Sequence, residues 1–227
     1  MSHLNLPRQS WRLHPALGPA LVSALLLAAG CACAHQPVNA PESAAMPAPT
    51  EVSTTVAALA TLEAGFDYQP MERVLRVRYR LDNTGADALA VFDRGDRHMV
   101  QTRQLAAGDV PSPFFAIDGA GGLTLSHEAL PLPMPAPTSP PTPLAARLMP
   151  GAALEAVFSF ALPTSVAAER VRWCVGVAPF NDADFREGET AAGVDLWRAS
   201  FAVVDDQQRL CTPWFDLAGG RFIDGEA

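Results

Sequence analysis

The chain has 227 residues, 49% of them hydrophobic, with 21 prolines and a formal net charge of −8. That length accommodates one domain with a tether or a large insertion, and the acidic balance excludes nucleic acid, which selects basic faces, as a partner. All 16 basic residues are arginine and alanine is abundant throughout, a mark of genome composition rather than of a site.

Residues 1–30 read as an export signal. Arg8 and Arg12 precede an apolar run, Ala20 to Gly30, that ends in small residues directly before Cys31. This supplies the basic start, apolar middle and small-residue end of a secretory leader, and the run is shorter than the roughly 20 residues a spanning helix needs. Leu27-Ala28-Ala29-Gly30-Cys31 resembles the lipobox of bacterial lipoproteins. The resemblance implies cleavage before Cys31, diacylglycerol on its sulfur and acylation of its new amine. With Ala32 rather than an aspartate behind the cysteine, it also implies attachment to the outer membrane, facing the periplasm. Cleavage near Ala32 or Ala34, giving a plain secreted protein, is the alternative. Two or three acyl chains hold a protein firmly, since each buried methylene contributes about 0.8 kcal/mol and one chain alone anchors weakly. Loss of the leader removes two arginines and no acid, so 14 arginines then face 24 acidic residues and the net charge becomes −10.

Residues 31–55 carry several prolines and no apolar period, and are expected to form a disordered tether. Residues 56–227 then form one domain. Ala57 to Tyr68 is an expected strand, with a turn at Gln69-Pro70-Met71-Glu72. In Leu75-Arg76-Val77-Arg78-Tyr79-Arg80-Leu81 the period is two, so Leu75, Val77, Tyr79 and Leu81 face a core and the arginines face out. Asp82-Asn83-Thr84-Gly85 turns the chain, and Leu89-Ala90-Val91-Phe92 begins the expected partner strand. Further strands are predicted at Phe114–Ile117, Leu123–Ser126, Leu154–Leu162, Val171–Val177, Ser200–Val204 and Arg209–Phe215, with Leu154, Ala156, Phe158, Phe160 and Leu162 on one face and Val171, Trp173, Val175 and Val177 on another. Many short strands at this spacing without a long helix indicate a β-sandwich. The segment from Tyr79 to Gly85 with Leu89 to Phe92 resembles the strand-turn-strand of bacterial immunoglobulin-like domains, which implies an all-β, immunoglobulin-like antiparallel β-sandwich.

Two stretches interrupt this pattern. Residues 130–150 are rich in proline, including Pro140-Pro141, and read as a long loop in which neither helix nor central strand forms. Phe180 to Asp195 reads as a polar, acidic loop. Two cysteines, Cys174 and Cys211, fall in the globular part, and in an oxidising compartment they most simply form one disulfide. Free thiols or a metal pair are the alternative, without Cys-x-x-Cys spacing or nearby histidines to support it. Cys33 has no assigned role.

Four candidate sites emerge, each with a plainer reading. Arg76, Arg78 and Arg80 form a row able to receive an acidic partner, or to pair with acids on neighbouring strands. Asp182, Asp184 and Glu187 offer oxygen ligands for calcium, without the spacing of a dedicated calcium loop. Pro131-Leu132-Pro133-Met134-Pro135 resembles a polyproline II ligand, or is a surface insertion. Ser126-His127-Glu128 invites a hydrolase reading, but adjacent strand residues point to opposite faces, and no Gly-x-Ser-x-Gly or His-Glu-x-x-His motif is present. The combined expectation is a non-catalytic, lipid-anchored binding or scaffolding component of the cell envelope, with a protein partner there and no cofactor. A periplasmic carrier of calcium or a small ligand is the alternative, and a periplasmic hydrolase the next.

Overall fold

The computed structural model describes residues 51–223. The leader, Cys31, Cys33 and the expected tether up to residue 50 lie outside the described residues. In chain order the elements are β1 (Glu51–Val56), β2 (Ala60–Gln69), β3 (Val74–Asn83), β4 (Leu89–Val91), α1 (Arg97–Gln101), β5 (Phe114–Ile117), β6 (Gly122–His127) and β7 (Leu144–Leu148). They continue with β8 (Ala153–Ala161), β9 (Arg170–Pro179), β10 (Phe185–Ala191), β11 (Val194–Ala199), α2 (Val203–Asp206), β12 (Gln208–Cys211), β13 (Trp214–Asp216) and β14 (Arg221–Ile223).

Period-two alternation builds the first sheet, β1-β2-β3-β8, antiparallel throughout. Leu75, Val77, Tyr79 and Leu81 on β3 and Phe158 and Phe160 on β8 are buried against a second sheet, whose inner row is Val171, Trp173, Val175 and Val177. Each such apolar side chain contributes about 1.5–3 kcal/mol when withdrawn from water. The two layers pack as a sandwich. Aromatic contacts set what faces what: Phe66 of β2 meets Phe215 of β13 at 5.4 Å, Tyr79 of β3 meets Trp173 of β9 at 4.5 Å, and Phe158 of β8 meets His127 of β6 at 4.9 Å.

The second sheet branches at β9. Cys174 and Val175 pair with β6 on one edge and with β12 on the other, while Val177 pairs with β4 and β12. Strands β6 and β4 therefore occupy the same edge of β9, one after the other. From β6 the sheet continues to β5; from β4 it continues through β7 and β11 to β10. The β6–β9 pair is parallel, against the expectation of a wholly antiparallel sandwich. Cys174 and Cys211 stand opposite each other in the β9–β12 ladder and form a disulfide.

Several expectations are corrected. The tether ends earlier than residue 55, because Glu51 to Val56 pairs along its whole length with β2. Leu89–Val91 does not pair with the preceding strand but joins the other sheet, and Asn83 explains why. Buried, it donates from Nδ2 to the carbonyls of Asp87 and Leu148 and accepts from Gly85 N–H, so this turn crosses between layers rather than closing a hairpin. Leu144–Leu148 of the expected 130–150 loop form β7, a largely buried strand between β4 and β11. The expected acidic loop is largely the β10–β11 hairpin, whose two-residue turn holds Ala192 and Gly193 at φ 49° and 77°, the left-handed pair that suits strand twist. Ser200–Val204 is no strand: Ser200, tied back to Asp184 through both its N–H and its hydroxyl, opens a turn, and Val203 and Val204 begin α2. Finally, Arg209–Phe215 is two strands divided at Thr212-Pro213.

Candidate binding site in the branched sheet

Where the two branches part, the sheet leaves a gap, and a pocket of about 250 Å³ fills it. The β4 branch contributes Phe92, Asp96 and Met99; the β6 branch contributes Pro111, Phe114 and His127. Leu130, Pro141 and Pro143 of the proline-rich segment close the side. The walls are mainly apolar, and two residues at the opening, Phe114 and Leu130, are exposed by 50% and 39%. Such a concavity with few polar groups is the ordinary form of a small binding site. Asp96 is already committed, capping α1 by accepting from Met99 N–H at 2.9 Å.

His127 is fixed beside this pocket rather than poised for chemistry. Its Nε2–H donates to the Pro111 carbonyl at 3.0 Å, and its Nδ1 accepts from Trp173 Nε1–H at 3.0 Å, so both ring nitrogens are occupied in the neutral form. Burial, aided by Arg94, outweighs the Pro111 bond and pushes the imidazole down to about 4. Between pH 6.5 and 4 the unfolded chain therefore binds a proton that the folded chain refuses, and stability falls as pH drops through that window, by about 3 kcal/mol in all. Urea unfolding of wild type and His127→Gln across pH 7 to 4 checks this: the variant's profile should lack that loss, and parallel profiles would show that folded His127 titrates normally.

Deeper in the core, the Tyr79 hydroxyl donates to Asp93 Oδ2 at 2.5 Å, Asp93 Oδ1 lies 3.1 Å from Arg94 Nε, and Arg94 Nη1 donates to the Gly108 carbonyl at 2.8 Å. The Nε–Oδ1 approach is close enough for attraction but makes no aligned hydrogen bond. Burial raises the Asp93 pKa, while Arg94 and the Tyr79 hydroxyl oppose the rise. These residues escape sequence reasoning, since Asp93-Arg94-Gly95-Asp96 has the composition of a surface turn. The usable signal is that two charged residues directly follow the apolar strand Leu89 to Phe92.

The arginine row divides. Arg80 makes the cross-strand pair, reaching Glu155 at 2.5 Å and Asp82 at 2.7 Å. Arg76 lies opposite Asp67 and Ser159, whereas Arg78 lies opposite Gly65 and Val157, with no carboxylate in register. Among the described residues neither Arg76 nor Arg78 makes an ion pair.

The three acidic candidates are held apart by separate partners. Asp184 accepts from Ser200 and Asn181, Glu187 pairs with Arg198 at 2.5 Å, and Asp182 is exposed. No group of three metal-ligating side chains occurs among the described residues. His98 sits partly exposed on α1, with Nδ1 3.3 Å from Ser139 Oγ. Comparison with protein-family models, curated proteins and solved structures finds no match for this chain.

Proposed function

We propose that this chain is a lipid-anchored protein of the bacterial envelope, held at the outer membrane through Cys31 and facing the periplasm, that binds a protein partner and catalyses no reaction. The branched-sheet pocket carries the binding half of this reading: it is mainly apolar, opens beside Phe114 and Leu130, and has its buried imidazole locked by two hydrogen bonds. A protein–protein anchor of this type takes one bulky apolar side chain into a water-excluding pocket. The disulfide suits an oxidising compartment, in keeping with the export signal at residues 1–30.

The domain is best described as a divergent immunoglobulin-like sandwich. The inter-layer turn at Asn83 and the buried Trp173 beside a cystine support that description. Two features depart from it: the disulfide joins neighbouring strands of one sheet, where antibody domains bridge two sheets, and β6 runs parallel to β9.

A photo-crosslinking amino acid placed at Phe114 or Leu130, in cells, tests the proposal. One discrete envelope-protein adduct is expected from these positions and not from Met71, which is 97% exposed on the β2–β3 turn and does not line the pocket. Cys31→Ala should move the protein out of the membrane fraction. Equal labelling from all three positions, or unchanged membrane association, would overturn the corresponding half of the reading.

A further inference from the structure

Strand β8 is the outer strand of the first sheet, and among the described residues it pairs only with β3. It is nine residues long, contains no proline, and carries a single charged residue, Glu155, already taken by Arg80. Natural sheet edges are normally blunted by charges, prolines or bulges, and β8 has little of that protection. Its outward centre, Val157, is 41% exposed.

The opposite sheet extends further than the first sheet covers. Strand β6 stands over β8, through the His127–Phe158 contact, and β5 lies one strand beyond it. On β5, Phe115 and Ile117 pair across to Leu125 and Leu123, whose side chains are fully buried in the core. Cross-strand partners share a face, so Phe115 and Ile117 point inward, between the layers. The Phe115 ring meets that of Phe160 on β8 at 5.6 Å, yet Phe115 and Ile117 remain 47% and 48% exposed. Among the described residues, the first sheet thus stops one strand short of the strand projecting above it.

We infer that this ledge is a strand-addition site: an extended segment of a partner protein pairs with the free edge of β8 and slides beneath β5, where its alternate apolar side chains cover Phe115 and Ile117. The ledge itself selects the occupant. A second copy of this domain would bring its own β8 already roofed by β6 and β5. Adjacent strands are only about 4.8 Å apart, so two such roofs leave no space for both projecting strands. A single extended segment has no roof and fits. Main-chain hydrogen bonds supply affinity in this mode and alternate side chains supply specificity. On the outer face, the residue level with Val157 would stand two strands, about 10 Å, from Arg78. That is within reach of the arginine's long side chain, which has no carboxylate directly opposite it and favours an acidic residue at that position.

This inference rests on the reading of the chain as a protein-binding module and adds the partner's chemistry and geometry. Its test uses the purified full-length protein and a labelled nine-residue peptide alternating valine and threonine, with glutamate at the central, outward position. Saturable binding is expected, weakened several-fold when the central residue is lysine and lost when the peptide amides that pair with β8 are N-methylated. Val157→Pro in the protein should abolish binding. Ile117→Lys, at an already half-exposed position, should do the same without threatening the fold. No saturable binding, or binding indifferent to N-methylation, would overturn the ledge. So would a concentration-dependent dimer removed by Val157→Pro, which would assign the edge to a second copy. Adducts at Phe114 and Leu130 persisting despite a failed peptide test would remove the ledge while leaving the envelope-binding reading in place.

Discussion

Arg94→Met is expected to lower the unfolding free energy by about 3–5 kcal/mol, because it strands a charge that the fold has removed from water. Asp93 is fully buried, and the side chains that compensate its carboxylate are the Arg94 guanidinium and the Tyr79 hydroxyl. Without the guanidinium, Asp93 must keep a poorly compensated charge or take up a proton at neutral pH, and either outcome costs free energy. Two further results identify the cause. The double variant Arg94→Met/Asp93→Asn should recover most of the loss, since a neutral amide still accepts from Tyr79 and no charge is left behind. The deficit of the single variant should also shrink as pH falls, because a carboxyl whose pKa is raised by burial is protonated in the folded state before it is in the unfolded one. Urea unfolding at pH 7 and pH 5 measures all three quantities. A single-variant loss below about 1 kcal/mol would place this pair in the weak class of solvent-exposed ion pairs.

Removal of the disulfide through Cys174→Ala/Cys211→Ala should cost about 4 kcal/mol on the chain-entropy account, given a sequence separation of 37 residues. The closed loop contains β10, β11 and α2, and the bond joins β9, the branching strand, to the C-terminal strands. Reductant should therefore lower the wild-type midpoint toward that of the double variant while leaving the variant's own midpoint unchanged. A loss below about 1 kcal/mol would mean that the unfolded chain already keeps these segments close. Unlike Arg94→Met, this change should show little pH dependence between 5 and 7, because no charge is stranded by it.

Strand faces were legible from local pattern. The alternation in Leu75 to Leu81 identifies the inward row of β3, and the same rule finds the inward rows of β8 and β9, because side-chain direction along an extended chain depends only on the chain itself. The cysteine pair was legible for a similar reason, since two cysteines in a domain expected to be exported have few other uses. Local pattern fails where partners are remote. Leu144 to Leu148 follows a proline run and looks like its continuation, yet it is a buried strand because β4 and β11 lie on either side to accept its hydrogen bonds. The stretch around Glu187 looks like a solvated loop, but the left-handed pair Ala192-Gly193 folds it into a hairpin.

The sequence by itself determined the all-β class and the inward faces of the long strands, because each follows from periodicity over short stretches, and it made the disulfide between Cys174 and Cys211 the simplest expectation, which the structure bears out. Only the tertiary structure decided the branching at β9, the pocket in its gap, the burial of Asp93 with Arg94, and the place of β8 as the outer strand of the first sheet among the described residues. Each of these depends on which distant strands meet and where one sheet ends relative to the other, and that is set by the free energy of the whole packed core rather than by any local run of residues.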